Sequence, residues 1–288
     1  MGKIAVYIPN YMGADFLKKV NIPSECDCVV MDNCSSDESV SVCRDRGFIC
    51  IENKMFVSRT QNWLRCIEHF KNSSYEWMKW LFVGDELCVD AYSKMLEAVR
   101  TASNAAIILF DYYIDTGKKK FLQSWACKFD EGLVSSVDAR LSCVEKGAFA
   151  APLGWMISKN CDFEHLNIDG YWWAADVLLF DQLMGKNSIF YHKIPIGVLQ
   201  CQQRNTYKKN KRKIATYLET IDVIYGIFRE CNAQYQIEHI DGEWFYHLMV
   251  SGVMDNINSF DNFLFVAKMF VRGLGKFILR KNGGDHNL

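Results

Sequence analysis

The chain has 288 residues, a formal net charge of -1, and a composition that is 50% hydrophobic and 14% aromatic. This is enough apolar material for one large domain with a real core, and it excludes a disordered or low-complexity chain. The near balance of charge leaves no global field to recruit nucleic acid, and no apolar run reaches the roughly 20 residues that a membrane span requires.

Short apolar runs alternate with helical patterns along the first part of the chain. "KIAVYIP" (3–9), "DCVVMD" (27–32), "FICIE" (48–52), "MKWLFVGD" (78–85) and "AAIILFD" (105–111) each read as a strand covered on both faces. Between them, "DESVSVCRDRG" reads as a helix opened by Ser36, with Asp37 and Glu38 in its first turn and Gly47 as its stop. Ser58 and Gln61 fit a capping box, with Trp63, Ile67 and Phe70 on one helical face behind it. Asp90 suits an N-cap ahead of Tyr92, Met95, Leu96 and Val99. This alternation predicts an α/β sheet with right-handed crossovers. From about residue 118 the rhythm loosens. A helix returns in "WWAADVLLFDQLMG" (172–185), a strand pair in "SIFYHKIPIGVLQ" (188–200), and the chain beyond Arg204 is mostly helical in pattern.

The twelve cysteines include no Cys-x-x-Cys pair, and Cys26-x-Cys28 has no matching histidines, so a structural zinc site is not expected. A chain of this length builds its own core without disulfides. The start "MGKIAVYIPNYMG" is no signal peptide, and Val6 stands where myristoylation prefers Ser or Thr. These features predict free, mostly buried thiols in a reducing cytoplasm. Cys34 and Cys88 lie near the candidate site, with nothing in the sequence to activate them.

In an open α/β sheet, ligands bind beyond the carboxyl ends of the strands. Here those ends carry Pro9-Asn10-Tyr11, then Asp32-Asn33 with Ser35-Ser36-Asp37, then Asn53-Lys54, then Gly84-Asp85-Glu86. Such a set of acids and amides suits a sugar-nucleotide. Neither G-x-G-x-x-G nor G-x-x-x-x-G-K-[ST] occurs, which argues against a dinucleotide dehydrogenase or a P-loop kinase. Phosphates without a glycine cradle need another counter-charge. A divalent cation on one or two carboxylates supplies it, and Asp85 and Glu86 are placed for that. Taken singly, an Asp just past a strand is more often a solvated turn residue or a helix cap. His192, a candidate third metal ligand, is by the same standard more often structural. Trp172 and Trp173 suit a stack on a sugar, or simply the core.

The stretches "IAVYIPNY", "DCVVMDNCSSDES", "ENKMFVSRTQNW" and "WLFVGDELCVDAY" resemble, in order and spacing, the nucleotide-binding half of family 2 glycosyltransferases of bacterial surface-polysaccharide type. The resemblance covers about the first 115 residues and continues more weakly to about Arg204. It implies a GT-A fold: an α/β, Rossmann-like mixed central sheet flanked by helices. That catalytic domain would span 1–205, with a nucleotide-sugar half at 1–115 and an acceptor half at 116–205. A mostly helical C-terminal region would follow at 206–288. The resemblance further implies that Pro9 and Tyr11 flank the nucleobase and that Asp32 bonds its edge. Asn33, Asn62, Gly84 and Arg204 would complete the nucleotide-sugar site, and Gln203 and Lys208 match a loop over the diphosphate. Asp85 would bind Mn²⁺ or Mg²⁺, with Glu86 and His192 beside it. Asp176 would be the base of an inverting transfer. Val83 and Ala175 stand at two positions where the family usually has an acid.

Two basic stretches remain. "RNTYKKNKRK" (204–213) has six positive residues in ten, a solvated face or a binder of diphosphate or an anionic surface. "FLFVAKMFVRGLGKFILRK" (263–281) spaces Lys268, Arg272, Lys276 and Arg280 four apart among bulky apolar residues. It reads as a basic amphipathic helix for a membrane interface or as a last core helix with a charged stripe, weakened by Gly273 and Gly275. The expectation is a cytoplasmic enzyme with peripheral contact at the inner face of the membrane. It would move a sugar from a nucleotide-diphosphate donor to a lipid-linked saccharide acceptor in O-antigen or capsule synthesis. A nucleotidyltransferase is the alternative within sugar-nucleotide chemistry, but "PNYMGADF" lacks its basic, glycine-rich loop. A non-catalytic sugar-nucleotide-binding module on the same fold is the other alternative.

Overall fold

The computed structural model describes residues 3–102, 104–145, 151–171 and 174–201, together with 219, 223, 226, 227, 230 and 231. Strands β1 (Ile4–Asn10), β2 (Asp27–Asp32), β3 (Ile49–Glu52) and β4 (Trp77–Trp80) are parallel neighbours in the order β3-β2-β1-β4. Helices α1 (Ala14–Lys19), α2 (Ser39–Asp45) and α3 (Arg59–Asn72) connect them. The sheet continues through β9 (Trp155–Ser158), β6 (Ile107–Asp115), β10 (Ile189–Gln200) and the two-residue β5 (Glu86–Leu87). β9 is antiparallel to both β4 and β6, which leaves β6 and β10 running with β1–β4. β7 (Lys120–Gln123) adds to β6 and β8 (Gly132–Val134) to β10, for ten strands in one mixed sheet. Helices α4 (Ala91–Thr101), α5 (Ser136–Glu145) and α6 (Ala175–Met184) follow, with short 3-10 turns at Trp125–Cys127 and Pro152–Gly154.

Strand alternation divides the core between the two faces. Tyr7, Met31, Trp80, Trp155 and Phe180 belong to one cluster, with Trp63, Ile67 and Phe70 of α3. Val6, Ile8, Val30, Phe110 and Met156 belong to the other, with Leu17, Val42 and Met95 of α1, α2 and α4. The capping box of α3 forms as expected: Ser58 Oγ accepts from the Gln61 amide, and Gln61 Oε1 accepts from the Ser58 amide.

Five expectations change. α2 begins at Ser39 with Glu38 at its N-cap, so Ser36 does not open it and Asp37 and Glu38 are not in its first turn. β3 is an edge strand with Ile49 at 40% exposure, so it is not covered on both faces. The run 78–85 is not one strand; β4 stops at Trp80 and a turn follows. Segment 188–200 is one long strand, not a pair, because register shifts between His192 and Pro195 and between Pro195 and Val198 absorb its irregularity. Asp90 does not cap α4 through its side chain; it pairs with Lys94 at 2.8 Å. The described cysteines are all free, and burial pushes the Cys26 and Cys28 thiols up to about 12. Among the described residues no helix is long and apolar enough to cross a membrane. The basic run from Arg204 and the amphipathic tail lie outside the described residues.

Candidate functional site

Because β1, β2 and β3 are parallel and in register, Asn10, Asp32 and Glu52 end side by side. Their loops meet in one hydrogen-bond lattice. Asn10 Nδ2 donates to Asp32 Oδ1 at 2.8 Å and to Ser35 Oγ at 3.3 Å. The Ser35 amide donates to Asp32 Oδ2 at 2.8 Å, and Ser35 Oγ accepts from the Met12 amide at 2.9 Å. Asn53 Nδ2 donates to both Asn33 Oδ1 and Asn62 Oδ1 at 2.9 Å. Asn33 also accepts from the Val57 amide and donates to the Val57 carbonyl, while Asn62 donates to the Met31 carbonyl.

Several residues of the expected nucleotide site are members of this lattice. Asn33 and Asn62 are buried and spend their amide groups on loops 53–57 and β2, so they brace the site from below. Both oxygens of Asp32, itself 1% exposed, already accept hydrogen bonds. Buried amides and carboxylates must find partners, and here the nearest partners are each other. Asn10, Asn53 and Ser35, read from the sequence only as strand-end residues, are members of the same frame. Asp37 accepts from the Ala14 amide at 3.0 Å and from Ser39 N and Oγ, tying α1 to α2. Burial pushes its carboxyl up, but those hydrogen bonds from Ser39 and Ala14 outweigh it and hold Asp37 below the usual carboxylate value.

Above the lattice stand exposed aromatics. Tyr11 and Phe56 are 54% and 60% exposed, with ring centroids 5.1 Å apart at 64°. Met12 and Met55 are exposed beside them in sequence, and Met12 holds a φ of 53°. Pro9 is half-buried within β1, next to Met31. Tyr11 was expected at this edge. Phe56 was not, although an apolar "MFV" in a loop beyond a strand end was a visible signal.

After β4 the chain makes a turn in which the Asp85 amide donates to the Phe82 carbonyl at 2.9 Å. Its third residue, Gly84, has φ +99°, a conformation that glycine reaches without steric cost. Gly84 is thus a turn residue. Val83 packs with the apolar cluster under α1. Asp85 is fully buried. Lys79, on β4, is fully buried as well and donates to the carbonyls of Pro152, Leu153 and Trp155. Burial pulls the Lys79 ammonium down to about 7, against the opposing charge of Asp85. Glu86 is exposed on β5, opposite Val198, and accepts from Gln200 Nε2 at 3.3 Å.

The expected metal trio is not brought together. His192 pairs with Phe110 on β6, while Val198, the neighbour of Glu86, pairs with Tyr113. That is three β6 positions further on, roughly 10 Å along the sheet. The His192 ring is 7% exposed and shares a 2.6 Å hydrogen bond between Nδ1 and Glu131 Oε1. Among the described residues no three His, Cys, Asp or Glu side chains converge as a metal site. Of the other two, Asp85 is fully buried and Glu86 is exposed, and Mg²⁺ asks for no more than one or two protein carboxylates, taking its other oxygens from water and substrate phosphates.

Asp176 lies in the first turn of α6, half-buried, with Oδ1 accepting from the Val177 amide at 3.0 Å. Ala175 before it is fully buried. Asp169, unforeseen, reaches back to the start of α3 and accepts from Ser58 Oγ, Thr60 Oγ1 and Gln61 Nε2. It ties the loop before α6 to the N-terminus of α3. Trp172, Trp173, Gln203, Arg204 and Lys208 lie outside the described residues.

No protein-family model and no curated protein matches the sequence. Solved structures do match the fold. Residues 1–349 of Staphylococcus aureus TarS in complex with UDP-GlcNAc superpose with TM-score 0.54 at 12% identity, over 87% of this chain and 71% of that one. The complex of the same fragment with UDP gives TM-score 0.52 at 12% identity, over 90% and 72%. Longer TarS gives 0.53 at 12%, over 89% of this chain and 44% of that one. At such identities the likeness carries the fold, and the fold is the GT-A architecture that the sequence predicts.

Proposed function

We propose that the chain is a glycosyltransferase of family 2 type that moves a sugar from a nucleotide-diphosphate donor to an acceptor hydroxyl with inversion. The observation that carries this reading is the exposed Tyr11–Phe56 pair above a rigid lattice of buried carboxamides and Asp32, at the carboxyl edge of a GT-A sheet. An aromatic surface on a braced frame suits the face of a nucleobase. TarS, solved with UDP-GlcNAc and with UDP, supports a uridine nucleotide as the first donor to try. Asp85 and Glu86 would hold Mn²⁺ or Mg²⁺ at the diphosphate. When bound, such a cation neutralises charge on the leaving diphosphate. Asp176, at the head of α6, would take the proton from the acceptor hydroxyl. The acceptor would be a lipid-linked saccharide of bacterial surface-polysaccharide synthesis, O-antigen or capsule, reached at the inner face of the membrane.

Release of nucleotide from UDP-, GDP-, CDP- and dTDP-sugars, with and without Mn²⁺ or Mg²⁺, tests the reading. Metal-dependent release that Asp85→Asn abolishes is expected. Asp176→Asn should suppress transfer and leave donor binding intact; full transfer by that variant would refute its role as base. Binding of a nucleotide-sugar without turnover would favour a second reading, a binding module, for which Val83 and Ala175 in place of acids are the specific support.

A further inference from the structure

Beyond the donor edge, β6 and β7 project as a two-stranded ribbon whose turn is the tight pair Gly117-Lys118. The Thr116 amide donates to the Lys119 carbonyl at 3.0 Å, and the Gly117 amide donates to Asp115 Oδ1 at 2.7 Å. Gly117 has φ +76°, which suits the first central position of a two-residue hairpin of primed type. The ribbon is therefore preformed. Lys118, Lys119 and Lys120 are all exposed at its tip, and residues 116–123 contain no acid. Phe121 and Leu122, each 47% exposed, follow immediately and point to opposite faces of the ribbon. Lys120 Nζ stands 5.0 Å from the Tyr113 ring centroid.

Lysines alone would only keep an edge strand from pairing with another chain. They give no reason to leave one bulky apolar side chain open on each face behind them. Three ammonium groups ahead of two apolar side chains match an anionic bilayer, where the charges meet lipid phosphates and the apolar groups enter the interface. The ribbon also rises from the carboxyl end of β6, beside the end of β10, where the Cys201 amide donates to the Asp115 carbonyl. That is the sheet edge that carries Asn10 and Asp85.

We infer that the β6–β7 hairpin, residues 116–122, is a contact element for an anionic lipid surface, holding the carboxyl edge of the sheet toward the bilayer. The inference deepens the lipid-linked acceptor reading and explains how that edge would meet its acceptor. Its test does not need turnover.

The full chain is sedimented with vesicles of phosphatidylcholine alone and of phosphatidylcholine mixed with phosphatidylglycerol. Binding to the mixed vesicles only is expected. The triple variant Lys118→Ser, Lys119→Ser, Lys120→Ser should lose partition by about fivefold per lysine removed. Phe121→Ser with Leu122→Ser should also lose it, with melting temperature and donor hydrolysis unchanged because all five side chains are exposed. Unchanged partition of both variants, or no binding by the wild type, overturns the inference. So does binding that dextran sulfate competes away and that the Phe121/Leu122 variant leaves intact, since that marks a general polyanion site. Loss of vesicle binding with intact hydrolysis, or the reverse, separates this inference from the transferase reading.

Discussion

Gly13→Ala is the sharpest perturbation of the donor lattice. A Cβ on residue 13 would lie 2.1 Å from Asn10 Oδ1, about 1.3 Å short of the 3.4 Å at which ordinary contact begins, and also 3.4 Å from Val83 Cγ2. Gly13 cannot easily retreat, because its amide donates to Ser39 Oγ and its carbonyl accepts from the Leu17 amide. Asn10, 1% exposed, must move instead. A displacement of that size breaks its 2.8 Å bond to Asp32 and its weaker bond to Ser35. Losing a hydrogen bond to a buried carboxylate costs roughly 1.5–3 kcal/mol, and overpacking adds about 1–3 kcal/mol. A loss of about 2.5–6 kcal/mol should lower the melting temperature by about 5–24 °C. UDP affinity, read by calorimetry, should fall with it, since Ser35 also holds the Met12 amide beside Tyr11. The decisive measurement is the cycle with Asn10→Ala. Removing the carboxamide removes the obstacle, so Asn10→Ala/Gly13→Ala should be no less stable than Asn10→Ala alone. Additive losses in the double variant would refute the clash.

Asp181 of α6 is 5% exposed and bonds Arg140 Nε at 2.6 Å, while Arg140 Nη2 also reaches Glu230 at 3.0 Å. Asp181→Ala leaves a buried guanidinium short of its main partner and should cost about 3–5 kcal/mol in urea denaturation. For Lys79, the folded-state value of about 7 lies below the ordinary 10.5, so between them the folded chain has released a proton that the unfolded chain keeps. Stability should therefore rise with pH across that window, by on the order of 1.4 kcal/mol per pH unit at most, with the penalty fully present below it. Lys79→Met should flatten the rise between neutral and alkaline urea titrations; an unchanged slope would rule out Lys79 as its source. Tyr11→Ala with Phe56→Ala removes two exposed rings and should weaken UDP binding about tenfold or more with little change in melting temperature. Equal UDP affinity would remove the aromatic pair from the donor site.

The parallel part of the sheet, β1 to β4, was readable because its strands are short apolar runs, with Asn10 and Asp32 closing the first two, and because Ser58 and Gln61 announce α3 locally. The order of those strand ends was enough to place Asn10, Asp32 and Asp85 along one edge. The second half was not readable in the same way. β7 and β8 are short edge strands, β10 hides two bulges inside one 12-residue strand, and β9 runs against its neighbours. Their pairing depends on partners far away in the chain. Roles within the site were harder still. Sequence placed Asn33 and Asn62 near a ligand but could not say that burial would turn their amides inward, toward Asn53 and the Met31 carbonyl. Nor could it separate His192 from Glu86, because strand register alone sets that distance. What the sequence determined is the class of fold and the edge at which a ligand would sit, since periodicity and strand-end chemistry are local. Which polar groups face a ligand and which are consumed in bracing the frame was decided by tertiary structure alone, because a buried polar group bonds whatever the fold brings within reach.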